Sequence, residues 1–107
     1  MLGDRDIKTS AALHNAAYSY AEIGNYDKAI KLYKKAYEMR VIAVGDSNSS
    51  TLKTLIRLAE TYHKAGQIPE AVACYENAYK ARVETLGESH KDTIDVKNKL
   101  DEIQWLI

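Results

Sequence analysis

The sequence predicts an all-α fold, a right-handed α-solenoid of antiparallel helix hairpins with two hairpins and a capping helix, five helices in all. Three observations predict it. The 107-residue chain matches itself when slid by 42 positions, and self-similarity at a period of roughly 20 to 50 residues marks stacked repeats. Within each copy the apolar residues recur at steps of three and four, as one face of a helix requires. A glycine followed by an amide residue, Gly24-Asn25 and then Gly66-Gln67, interrupts each copy where a hairpin turn would fall.

The self-match is dense. Leu13 pairs with Leu55, Ala17 with Ala59, Tyr20 with Tyr62 and Ala29 with Ala71. Further on, Tyr33 pairs with Tyr75, Ala36 with Ala78, Arg40 with Arg82 and Gly45 with Gly87. The stretches "GDRDIKT", "GDSNSST" and "GESHKDT" end at Thr9, Thr51 and Thr93, which stand 42 residues apart. Since Gly3-Asp4 matches Gly45-Asp46, the chain is expected to begin inside an inter-repeat loop, as a piece of a longer array. The expected organisation is one domain over 1–107, with a first repeat over about 7–48, a second over about 49–90 and the capping helix over about 91–107.

The first helix is expected over 8–23, with Leu13, Ala16, Ala17 and Tyr20 on its apolar face. The second, over about 27–44, carries Ala29, Ile30, Tyr33, Ala36, Tyr37 and Val41 inward. Their copies follow in the second unit, where Pro69 falls in the opening turn of a helix and its missing amide hydrogen costs nothing. The final segment, "KDTIDVKNKLDEIQWLI", starts as a third unit with Val96, Leu100, Ile103 and Ile107 as a seam. It places Asp101 where Ala17 and Ala59 stood. An aspartate there would be buried without a partner under another hairpin, so the helix is expected to cap the stack.

Composition narrows the function classes. Lysine plus arginine equals aspartate plus glutamate at 15 each, which leaves no overall field to hold a nucleic-acid backbone or an anionic membrane. No apolar run approaches the roughly 20 residues needed to cross a bilayer, and the start lacks the features of a signal peptide. The lone Cys74 suits a reducing compartment, and a cytoplasmic location is expected. It takes the place of Leu32 in the other unit and reads as a small apolar helix residue.

The order of small and large residues resembles the tetratricopeptide repeat. Leu13, Ala16-Ala17, Tyr20, Gly24, Ala29, Tyr33 and Ala36 carry the resemblance once, and Leu55, Leu58-Ala59, Tyr62, Gly66, Ala71, Tyr75 and Ala78 carry it again. Small residues at these points let the two helices of a hairpin approach closely. The usual repeat has 34 residues. This one is eight longer, similar to the repeats of kinesin light chains and their bacterial relatives. It departs from that pattern at Asn48-Ser49 and Lys91, where His-Pro is frequent, and at His14 and Ile56, where an asparagine is frequent.

The resemblance implies that the first helices of successive hairpins line a concave groove receiving a peptide segment of a protein partner, with no catalysis. On the first helix, the edge away from the apolar stripe carries His14, Asn15, Tyr18 and Glu22. The second unit offers Ile56, Arg57, Glu60 and His63, and the capping helix adds Asn98, Glu102 and Trp105. This mixed surface combines hydrogen-bonding groups for a peptide backbone with aromatic anchors. The lysines and asparagines that clamp a C-terminal carboxylate in some relatives are not evident on it. His14, His63 and His90 show no metal-ligand spacing with one another or with Cys74, and no glycine-rich loop has the phosphate-cradling pattern. No cofactor, metal or catalytic residue is therefore expected. The alternative is structural self-association through exposed repeat ends, where Ala12, Ala16 and Ser19 would lie.

Overall fold

A computed structural model describes residues 4–105. Five helices follow one another: α1 (Asp4–Glu22), α2 (Tyr26–Val44), α3 (Ser49–Lys64), α4 (Ile68–Leu86) and α5 (Lys91–Gln104). Each packs antiparallel on the next, and α1 also touches α3. The result is an all-α solenoid of two helical hairpins and a fifth helix, in a slab of 40 × 33 × 18 Å.

The turns repeat with the sequence. Gly24 and its copy Gly66 end the first helix of each hairpin at φ 83° and 81°, a left-handed conformation that a side chain disfavours. Gly45 and Gly87 do the same between units, at φ 93° and 88°. Asn48 accepts the Ser50 backbone N–H at 2.9 Å, and His90 Nδ1, one repeat on, accepts the Asp92 N–H at 3.0 Å. Each thereby satisfies one of the open donors of a helix start.

The recurring threonine also has a physical role. Thr51 and Thr93 are fully buried, and their hydroxyls donate to carbonyls at the end of the preceding helix, Gly45 at 2.7 Å and Arg82 at 3.4 Å. The arginines act in the opposite direction. Arg40 Nη1 donates to the Ser50 carbonyl at 2.9 Å, and Arg82 Nη1 donates to the Asp92 carbonyl at 2.8 Å. These two pairs are the same contact one repeat apart, and they fix how each hairpin meets the next helix.

Ala17, Ala29, Ala36, Ala59, Ala71 and Ala78 are all at 0% exposure, as the close approach of paired helices demands. Tyr33, Tyr62 and Tyr75 fill the space beside them. Tyr37, Val41, Tyr79 and Val83, expected to face inward, are only half-buried, with Tyr37 and Tyr79 packed against the edge of the core. On α5, Thr93, Val96, Leu100 and Ile103 face the core. Asp101 is exposed there and pairs with Lys97 at 2.8 Å. The expected seam residue Ile107 lies outside the described residues.

Two expectations are corrected. Asp4 to Asp6, read as loop by their match to Asp46 to Asn48, belong to α1. The buried face of α1 is also rotated from the expected stripe. Ser10, His14 and Ala17 are buried, whereas Leu13, Ala16 and Tyr20 are half-buried. Their copies Leu55, Leu58 and Tyr62 are buried because α3 has helices on both sides.

Candidate functional site

The first helices of each unit, α1, α3 and α5, present one face, and a cleft runs along it between α3 and α5. One stretch encloses about 390 Å³ beside Lys53, Ile56, Asp95 and Arg82. The adjoining stretch, about 380 Å³, lies beside His63, Lys64, Tyr75 and Glu102. Arg57, Glu60 and Lys99 line both and make the cleft continuous.

These three residues are joined to α1 in a single row. The Arg57 guanidinium lies 5.8 Å from the centroid of the Tyr18 ring, a cation–π distance. Arg57 Nη1 donates to Glu60 Oε1 at 3.1 Å, and Lys99 Nζ donates to Glu60 Oε2 at 3.0 Å. The repeat explains the geometry: sliding Tyr18 and Arg57 by 42 positions gives Glu60 and Lys99. The cation–π contact of the first junction and the ion pair of the second are thus one contact made twice with different chemistry. Both are partly exposed, so each contributes at most about 1 kcal/mol. The row orders the surface more than it stabilises the fold.

In the first stretch, the cations Lys53, Arg57, Arg82 and Lys99 stand with the carboxylates of Glu60 and Asp95, and Ser49 and Ser50 complete the polar lining. Glu60 is already engaged by two cations. Arg57, Lys99 and Arg82 are likewise engaged, by Glu60 and the Asp92 carbonyl, but each cation carries further N–H donors and no acceptor, an arrangement suited to the carbonyls of an extended chain.

The expected site residues divide as follows. Tyr18, Arg57 and Glu60 form the row, Ile56 is half-buried in the cleft wall, and His63 and Glu102 line its second stretch. Asn15 and Glu22 are exposed on α1, toward the same side as Tyr18 by helical spacing. Asn98 is exposed on α5 but lines neither stretch, and Trp105 is exposed at the end of that helix. His14 is corrected. It is 7% exposed and turned into the junction between α1, α2 and α3, because it shares a helix face with Ser10 and Ala17. Lys53, Lys64, Arg82 and Asp95 line the cleft without having been expected there, and so does Lys99, which joins the row. It is the third copy of the position held by Asn15 and Arg57, and the 42-residue offset alone points to it.

A family model of the tetratricopeptide repeat matches residues 9–49 and 51–92. The chain belongs to the tetratricopeptide repeat family. Its two units are of the kinesin light chain type, and the matched ranges coincide with the two hairpins. Tetratricopeptide repeats are generally protein–protein interaction modules and usually non-catalytic. No curated protein matches the chain. Among the described residues, no group of three or more His, Cys, Asp or Glu side chains could hold a metal ion, and no helix is long and apolar enough to cross a membrane. Burial pushes the half-buried Cys74 thiol up to about 11, with Glu70 adding to the shift, so at neutral pH it carries little of the reactive thiolate.

Proposed function

We propose that the concave face of α1, α3 and α5 receives an extended or helical segment of a protein partner, making the chain a non-catalytic binding module. The observation that carries this reading is the row Tyr18, Arg57, Glu60 and Lys99, which crosses all three helices beside an open, donor-rich cleft. An aromatic ring and a guanidinium side by side on an exposed face are the residue types that dominate binding surfaces. The test is to select peptides against the chain from a displayed library and measure their affinity for variants. Tyr18→Ala and Arg57→Ala should each weaken the selected peptides by about tenfold or more, roughly 1.4 kcal/mol. Stability should change by less than about 1 kcal/mol, because both side chains are exposed. Peptides that bind both variants as tightly as the parent would refute the reading.

A second reading, self-association, is favoured by one observation. Leu13, Ala16 and Tyr20 on α1 are half-buried where their copies on α3 are covered, and Ile7 and Ile23 beside them are exposed at 45% and 77%. Light scattering across a dilution series separates the two readings. A dimer that Leu13→Lys dissolves would support self-association, and a monomer at every concentration would exclude it.

A further inference from the structure

The two junctions of the stack use different chemistry at three matched positions. Ser10, His14 and Thr54 of the first junction stand where the second has Leu52, Ile56 and Val96. The His14 ring meets Tyr33 edge-on with centroids 5.2 Å apart, and its Nδ1 is hydrogen-bonded to Thr54 Oγ1 at 3.1 Å. Arg40 ties the cluster together: Nη1 donates to Thr54 Oγ1 at 2.7 Å and Nε donates to Ser10 Oγ at 3.3 Å. Ser10 Oγ in turn donates to the Ile7 carbonyl at 2.8 Å. One connected polar cluster therefore joins α1, α2 and α3, and among the described residues no buried side-chain polar atom lacks a partner.

Among the described residues, the charged groups acting on His14 are cationic: Arg40 from α2, and Lys53 and Arg57 from α3. The Tyr33 phenol also stands against it, raised by burial to about 12 and so neutral. Burial first, and then these three cations, hold the imidazole down to about 4 from its ordinary 6.5. His14 is thus neutral in the assembled stack at pH 7.

Thr54 Oγ1 donates to the Ser50 carbonyl at 3.3 Å, so it accepts from Arg40 and from His14 Nδ1, and an added proton goes to His14 Nε2. We infer that the first junction is an acid-opened latch: a proton on His14 sets a fourth positive charge beside three, and their repulsion across the junction releases the first hairpin from α3. The folded state disfavours the protonated ring, so this contribution is fully present above about pH 6.5 and is lost as the pH falls from there toward about 4. Tyr18 rides on α1, so opening also carries one end of the surface row away from Arg57. The second junction, with Leu52, Ile56 and Val96 in these places, lacks the device.

The test uses the full chain. Amide hydrogen exchange followed by NMR gives protection factors at pH 7 and pH 5 for the parent and for His14→Gln, which keeps a polar partner for Thr54 but cannot titrate. In the parent, protection in α1 and α2 should fall roughly 20-fold over that interval, with a smaller fall in α4. The Gln variant should lose that difference between the hairpins. The two proteins differ at His14 alone, so the comparison isolates that side chain. An equal fall in both proteins, or an equal fall in α4, would overturn the latch. Should the Gln variant fail to fold, direct NMR titration of the parent's His14 ring decides: a midpoint below pH 5 supports the proposal, and one near 6.5 overturns it.

Discussion

Thr54 Oγ1 is where three helices meet, accepting from Arg40 on α2 and bonded to His14 on α1. Replacing it with valine, the residue the next junction holds at Val96, keeps the volume and removes the oxygen. Thr54→Val should cost about 1–3 kcal/mol, because His14 loses its partner and Arg40 loses one acceptor in a buried setting. A urea titration would show this as a lower midpoint at unchanged slope. A midpoint equal to the parent's would mean that the Ser50 carbonyl alone suffices for Arg40. At this scale the sequence was only partly legible. The face shared by Ser10, His14 and Ala17 follows from steps of four and three, yet its polar members hid it from a search for apolar stripes. Thr54, the partner of His14, lies 40 residues along the chain, and only packing brings the two together.

At the scale of the helices, the repeat was the strongest guide. Both hairpins, their glycine turns and the buried alanines follow from a period that each copy obeys. What the period does not carry is the number of neighbours. α1 and α3 share a pattern, but α3 lies between helices and buries Leu55, Leu58 and Tyr62, whereas α1 leaves Leu13, Ala16 and Tyr20 half-covered. The same reasoning gives α5 its weight. It covers α3 and α4 with Thr93, Val96, Leu100 and Ile103, each at most 6% exposed. Burying one such aliphatic side chain contributes roughly 1.5–3 kcal/mol, comparable with a fair part of the net stability of a small domain. A chain ending after His90 should therefore be unfolded or aggregated, as judged by circular dichroism and light scattering. A monomeric truncation that melts cooperatively would deny α5 that role.

For the whole molecule, the stacking of like on like sets first helices side by side, and this alone produces a surface that crosses the repeats. Of the residues expected on that surface, Tyr18, Arg57 and Glu60 fall in the row, and Ile56, His63 and Glu102 line the cleft. The more informative signal was a position conserved in place and changed in chemistry, as Asn15, Arg57 and Lys99 are, or Tyr18, Glu60 and Glu102. The contacts across the face, Tyr18 to Arg57 and Glu60 to Lys99, then follow from one geometry applied twice. The most direct test of this face as the binding surface is NMR shift mapping of the chain with a selected peptide. The account predicts that perturbed amides cluster around Tyr18, Arg57, Glu60 and Lys99. Perturbations confined to the outer faces of α2 and α4, around Lys31, Lys35 and Glu76, would contradict it.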